Sequence, residues 1–324
     1  MSHFSLAELE NAAGLIAAKL PRTPEYAWPL LARRCGAEVW VKHENHLPIG
    51  AFKIRGGITY IDWLKRAETA AKGVITATRG NHGQSIALAA RSAGIPVTVL
   101  VPRGNSVEKN AAMECLGAEL IVHGRDFDEA KEYAVELARE RQLHFVPSFD
   151  PLLVKGVASY ALELFRAVMR LHAVYAPIGM GSGICGLIAV RDLLRLKTEI
   201  VGVVAEKAPA LALSIAAGRP VATREARTFA DGVACREPHP LAVDMIAKGA
   251  ARVVRVTEEE IAEAIRIYYA ATHNVAEGAA AAPLAALIKE AGIIKGRRVA
   301  LILSGGNIDS DVFCRVLTGH TPAA

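Results

Sequence analysis

Four short segments hold the residues whose types could do chemistry. Gly50-Ala51-Phe52-Lys53-Ile54-Arg55-Gly56-Gly57 sets a lysine among glycines, and Thr78-Arg79-Gly80-Asn81-His82-Gly83-Gln84 gathers hydroxyl, guanidinium, amide and imidazole groups. Gly179-Met180-Gly181-Ser182-Gly183-Ile184-Cys185-Gly186 is rich in glycine, and Ser304-Gly305-Gly306-Asn307 is a compact polar turn. In the third segment glycines let the backbone approach an anion. A helix starting there adds N–H donors and partial positive charge, the chemistry of a phosphate site. Residues 181–186 also match GxGxxG, and Glu206 follows 20 residues on, where a ribose-binding acid would stand. A nicotinamide (NAD)-dependent oxidoreductase is therefore one reading. It has the match in mid-chain instead of an opening βαβ unit, and it leaves the other three segments unexplained.

The elements that must position these residues alternate along the chain. Apolar, β-branched runs at 38–42, 74–77, 97–101, 119–122, 173–178, 200–204 and 299–303 read as strands. Helical patterns occupy 83–93, 107–116, 127–142, 152–171, 184–196, 258–271 and 279–291. Continuous apolar strands separated by helices predict parallel sheets covered on both faces, the α/β class. In such sheets ligands bind at the carboxyl ends of strands, where the second, third and fourth segments fall.

Composition excludes several classes. Of 324 residues, 52% are hydrophobic and 22% charged, enough for a large core and unlike a disordered chain. The net charge of +5 is spread along the chain, and with 6% aromatics no basic, stacking surface for nucleic acid emerges. No apolar run is long enough to span a membrane. The N-terminal stretch, with Glu8 and Glu10, reads as an amphipathic helix and not a signal peptide. Five scattered cysteines without a CxxC pair give no disulfide framework or zinc site, so a cytoplasmic location is expected.

Taken in order, the segments resemble the fold-type II pyridoxal 5′-phosphate (PLP) enzymes that include threonine dehydratase and serine racemase. The resemblance runs over roughly residues 20–315. It includes Lys42-His43-Glu44, the lysine segment, Thr78 to Gln84, the glycine loop, Ala230-Asp231-Gly232, Glu277-Gly278-Ala279-Ala280 and Ser304 to Asn307. It implies two parallel-sheet three-layer domains, a large one of residues 1–49 plus 148–324 and a small one of 50–147. The cofactor would lie in the cleft between them, and a homodimer is implied. Lys53 would form the Schiff base and then act as base at Cα, a task that needs a lowered lysine pKa. The resemblance also assigns the cofactor to Phe52, Asn81, Gly179, Met180, Gly181, Ser182, Gly183, Glu277 and Ser304. Thr78, Arg79, Gly80, Asn81 and His82 would hold the substrate, with Thr78, Asn81 and His82 offering donors to its carboxylate. A hydroxyl at Ser304 against the pyridine nitrogen makes the ring a weak electron sink and favours β-elimination over transamination.

The reaction so implied is dehydration and deamination of a small 3-hydroxy amino acid to a 2-oxo acid and ammonia. A non-catalytic ligand-binding member of the same fold remains an alternative. Several departures bear on the substrate. Ala51 stands where the family usually has serine. Arg79 replaces the serine that serine racemases use as acid/base, so racemisation should be poor, and a guanidinium there could grip a second carboxylate or pair within its loop. Ala212 removes one of the acids expected in a metal loop at 206–212, so no structural cation is expected. Gly156-Val157-Ala158-Ser159 replaces G-Q-G-T and hints at a roomier, more apolar pocket, keeping 3-phenylserine and 3-hydroxyaspartate in play beside threonine and serine. Because the chain runs only a short way past the last turn, neither a regulatory module nor isoleucine feedback is expected.

Overall fold

The computed structural model describes residues 3–67 and 69–323. Their strands are β1 (Glu25–Ala27), β2 (Glu38–His43), β3 (Val74–Ala77), β4 (Val97–Val101), β5 (Glu119–Val122), β6 (His144–Phe145), β7 (Ala173–Pro177), β8 (Glu199–Ala205), β9 (Arg252–Val256) and β10 (Arg298–Leu303). The expected α/β class holds. β1, β6 and β9 were not foreseen, two because they are too short to show a period and β9 because Arg252 and Arg255 interrupt its apolar run.

The chain divides into two compact units, Met1–Phe52 with Val157–Ala324, and Lys53–Gly156. In the first, six strands run in the order β1-β2-β10-β7-β8-β9, all pairs parallel except β1 with β2. The central β10 and its neighbours β2 and β7 are apolar because helices cover both faces of the sheet. Val39, Val41, Tyr175, Val201, Val203, Val299 and Leu301 form one face of its core with the helices Glu258–Thr272 and Gly278–Lys289. The amphipathic N-terminal stretch forms the helix Leu6–Ala17, opened by a capping box between Ser5 and Glu8 and buried through Leu9, Ala12 and Ile16. Met1 and Ser2 lie outside the described residues.

The edge of this sheet is fixed by an ionic cluster. The ammonium of Lys42, fully buried, donates to Glu25 at 2.7 Å, to Glu163 at 2.6 Å and to the Thr23 carbonyl at 2.8 Å. Removing that charge from water is tolerable only because all three donors are satisfied. The Thr23 hydroxyl in turn donates to the buried Glu44 at 2.6 Å.

In the second unit four parallel strands run β5-β4-β3-β6. The helix Lys53–Arg66, absent from the expected set, packs on the helix Asn81–Ser92. Gly57 makes the close approach possible: a Cβ there would stand 2.3 Å from Ser85 Oγ and 2.8 Å from the Ser85 carbonyl oxygen. The second glycine after Arg55 is thus a packing device and not a ligand contact.

Candidate active site

In the larger unit the chemistry gathers at the carboxyl ends of β7 and β10. β7 ends at Pro177, and the helix Ser182–Leu193 begins four residues beyond Ile178, capped by Gly181 at φ 101°. That left-handed conformation is why position 181 is glycine. No side chain caps this helix and its first turn holds no acid, so its N-terminal dipole is left for an anion. Gly179 is held tightly, since a Cβ there would meet the Gly232 carbonyl oxygen at 2.1 Å. The Ala230-Asp231-Gly232 motif therefore serves as a backstop for the loop. The Tyr160 hydroxyl donates to the Gly183 carbonyl at 2.8 Å and its ring meets Phe52 edge-on, centroids 6.1 Å apart. Met180 lies against Cys235, sulfur to sulfur 3.7 Å.

The turn after β10 is bound to the segment that leads to the lysine. Phe52 N–H donates to the Ser304 carbonyl at 3.0 Å, Gly306 N–H to the Gly50 carbonyl at 2.9 Å, and Ala51 pairs with Gly305. Asn307 Nδ2 donates to the Ile49 carbonyl at 2.8 Å. Asn307 thus does structural duty at a turn where Gly50 takes φ 67°. Glu277, 4% exposed, donates its N–H to the Gly305 carbonyl at 3.1 Å, and a Cβ on Gly305 would fall 2.7 Å from its carboxylate. Phe52, Gly179, Met180, Gly181, Ser182, Gly183, Glu277 and Ser304 are therefore parts of one assembly within this unit.

In the smaller unit Lys53 opens the helix Lys53–Arg66, and its carbonyl accepts the Ser85 hydroxyl at 2.6 Å. Thr78, Arg79 and Gly80 form the turn after β3, and Asn81 and His82 open the next helix. The Thr78 hydroxyl accepts N–H bonds from Gly80 (2.9 Å) and Gly83 (3.1 Å), which fixes the turn and leaves its one proton to donate. Gly80 lies beneath the Lys109 stem, where a Cβ would come within 2.4 Å of Lys109 Cδ. Arg79 is half-buried.

The His82 side chain is buried and bound to the backbone. The residue is 6% exposed and its ring is hydrogen-bonded to the Val146 carbonyl, while Nε2 has no hydrogen-bond partner among the described residues. Burial first, then the nearby Lys53 charge, push its pKa down to about 3, against the raising effect of the Val146 bond. The ring is therefore neutral, and with Nδ1 donating to Val146 its Nε2 is an acceptor. Nε2 therefore offers no proton to a substrate carboxylate, and a donor from His82 would be its backbone N–H, in the first turn of the helix.

Tyr160 and Gly232 were missed by sequence reasoning. Tyr160 is one tyrosine inside an apolar helix, Pro151–Ala167, with no local signal. Gly232 lay in a recognised motif whose purpose only the contact with Gly179 discloses.

Two parallel-sheet units, an uncapped glycine turn and a lysine at a helix start define a class of cofactor enzyme. A family model described as pyridoxal-phosphate dependent enzyme matches residues 16–305, and the chain belongs to that family. More particularly, it is similar to L-threonine ammonia-lyase of Thermotoga maritima, 33% identical over 314 residues that cover 97% of this chain and 78% of the relative. The processed form of threonine deaminase isoform 2 from Solanum lycopersicum superposes with a TM-score of 0.88 at 30% identity, covering 98% of this chain and 96% of that one. A pyridoxal 5′-phosphate-dependent aspartate racemase superposes with a TM-score of 0.90 at 26% identity, covering 96% and 98%. The resemblance to the threonine dehydratase and serine racemase group therefore stands, the chain is a PLP-dependent lyase, and its cofactor is PLP. The nicotinamide reading of the GxGxxG stretch is set aside. The residues present fit the cofactor: in the larger unit an uncapped helix N-terminus on a glycine turn suits a phosphate, and in the smaller unit Lys53 has an amine.

Proposed function

We propose that the chain removes water and then ammonia from a small 3-hydroxy amino acid, giving a 2-oxo acid. The observation that carries this is the likeness to an L-threonine ammonia-lyase over 97% of the chain, with all the chemistry-bearing segments included. In this reading the N–H groups of Gly179 to Gly183 hold the cofactor phosphate, Asn81 its 3′-oxygen and Ser304 its ring nitrogen, with Phe52 and Glu277 lining it. When bound, the cofactor supplies an aldehyde for amines and a sink for the electrons of the Cα–H bond. Lys53 would hold the cofactor through its amine and, with that amine free, would take the Cα proton. Thr78, Gly80 and Asn81 hold the substrate carboxylate at the helix N-terminus, whose dipole favours it. Net, the substrate loses Cα–H and the C3 hydroxyl as water, and hydrolysis then exchanges its nitrogen for oxygen.

A second, acidic substrate is favoured by one observation: Arg79 stands in the turn beside Thr78 and Asn81, and a guanidinium pairs well with a carboxylate. The test is the absorption spectrum of the purified protein, with 2-oxo acid release followed on threonine, serine, 3-phenylserine and 3-hydroxyaspartate. An aldimine band bleached by borohydride and release from any of the four is the expected result. A protein that takes up no PLP, or releases nothing from all four, overturns the reading. Arg79→Ser should weaken 3-hydroxyaspartate selectively if the acidic substrate is the right one.

A further inference from the structure

His82 is a buried polar side chain that the proposed reaction does not yet use. The Val146 carbonyl accepts the Thr76 hydroxyl at 2.8 Å and the His82 ring, so both of its lone pairs are engaged and the ring is locked with its proton on Nδ1. Nε2 is left with a lone pair and no hydrogen-bond partner among the described residues, in a residue 6% exposed. None of the described residues supplies a donor to this buried acceptor, and leaving it without one is costly. Its place is the first turn of the helix Asn81–Ser92, just after the turn that carries Thr78, within electrostatic reach of Lys53.

This inference rests on the proposed dehydratase reading, because the substrate class decides which donor arrives. A 3-hydroxy amino acid offers few donors once bound. Its amine is consumed in the bond to the cofactor and its carboxylate only accepts, which leaves the O–H on C3. We propose that His82 Nε2 accepts a hydrogen bond from the substrate 3-hydroxyl and so selects substrates bearing one. The bond turns the oxygen's remaining lone pairs toward the proton it must receive as it departs. The histidine trades no proton.

The test pairs two substrates that eliminate by the same route and yield the same products apart from the leaving group. L-Serine loses the Cα proton and hydroxide as water, while β-chloro-L-alanine loses the proton and chloride, and hydrolysis gives pyruvate and ammonia from both. β-Chloroalanine has no donor for Nε2. His82→Asn keeps an N–H that can reach Val146 and removes the Nε2 acceptor, whereas His82→Gln keeps an acceptor near the Nε2 position and gives up the Val146 bond. In the holoenzyme His82→Asn should lower kcat/KM for serine about 10- to 100-fold, the worth of one buried hydrogen bond, and leave β-chloroalanine within about twofold. His82→Gln should retain more of the preference for serine over β-chloroalanine. Long-range 15N NMR of histidine-labelled enzyme should show Nδ1 protonated and Nε2 bare. Equal losses on both substrates in His82→Asn, or a protonated Nε2, would overturn the inference. Failure of the unmutated enzyme on both substrates would instead count against the dehydratase reading.

Discussion

Gly179 offers the sharpest test of the phosphate turn. An alanine Cβ at this position would stand 2.1 Å from the Gly232 carbonyl oxygen and 3.2 Å from its carbon, both backbone atoms that cannot rotate away. The first distance is about 1 Å inside van der Waals contact, so either the turn or the Ala230-Asp231-Gly232 segment must shift. Overpacking of this kind costs about 1–3 kcal/mol, roughly 2–4 °C per kcal/mol in a unit of this size. The N–H groups at the start of the helix Ser182–Leu193 would move with it. Each hydrogen bond to a charged group is worth about 1.5–3 kcal/mol, so loss of one raises the Kd for PLP about 10- to 100-fold. Gly183 is the control, since its Cβ would sit 3.5 Å from the Phe52 ring and the Tyr160 hydroxyl, ordinary contact, and alanine keeps the N–H. The assay is a PLP titration of apoprotein by absorbance with a thermal melt alongside. Gly179→Ala should be weakened in both and Gly183→Ala in neither. Equal behaviour of the two variants would refute the assignment of this turn to the phosphate.

Other outcomes follow from the same geometry. Lys53→Ala should show no borohydride-sensitive band and lose turnover by at least about 10²–10⁴-fold, checked by spectrum and 2-oxo acid release. Lys42→Met should cost about 3–5 kcal/mol in urea unfolding, because Glu25 and Glu163 would be left facing each other around an apolar side chain; a loss under about 1 kcal/mol would count against the ionic cluster. Stability should fall with acid from about pH 6.5, above the range in which most carboxylates titrate. Burial holds His43 near a pKa of about 4 and His82 near about 3, so between pH 6.5 and 4 the unfolded chain binds protons that the folded chain refuses. Their contribution is complete above the unfolded value and is lost as pH falls, by roughly 1.4 kcal/mol per pH unit for each histidine. Urea unfolding at pH 6.5 and 5 should show this slope, and His82→Asn should remove about half of it.

Much was legible because local rules suffice for it. The β7, β8 and β10 strands announce themselves as apolar runs, and Gly181, at φ 101°, stands where only a residue without a Cβ turns easily from strand to helix. The helix Lys53–Arg66 was not legible. Its apolar face is diluted by Arg55, Gly56 and Gly57, and Gly57 is there for Ser85, a residue 28 positions away. The strand β9 was hidden because Arg252 lies in its first position, drawn there by Glu199 and Glu290 at 2.7 Å each.

By itself the sequence determined the residue chemistry available: a lysine amine, a glycine turn that admits an anion, a serine in place of an acid at Ser304, and an alternation of strands and helices that makes mainly parallel sheets. Tertiary structure alone decided how some of those groups are used. Asn307 looked like part of a ligand turn and instead secures Ile49, while Gly232 backs Gly179 across a gap too narrow for a methyl group. The His82 ring is left with Nε2 as an acceptor, because the carbonyl of Val146, contributed by a segment 64 residues later, accepts the hydrogen bond from Nδ1. A side chain's type is written in the sequence, but which of its atoms remains to meet a ligand depends on which neighbours the fold brings to the others.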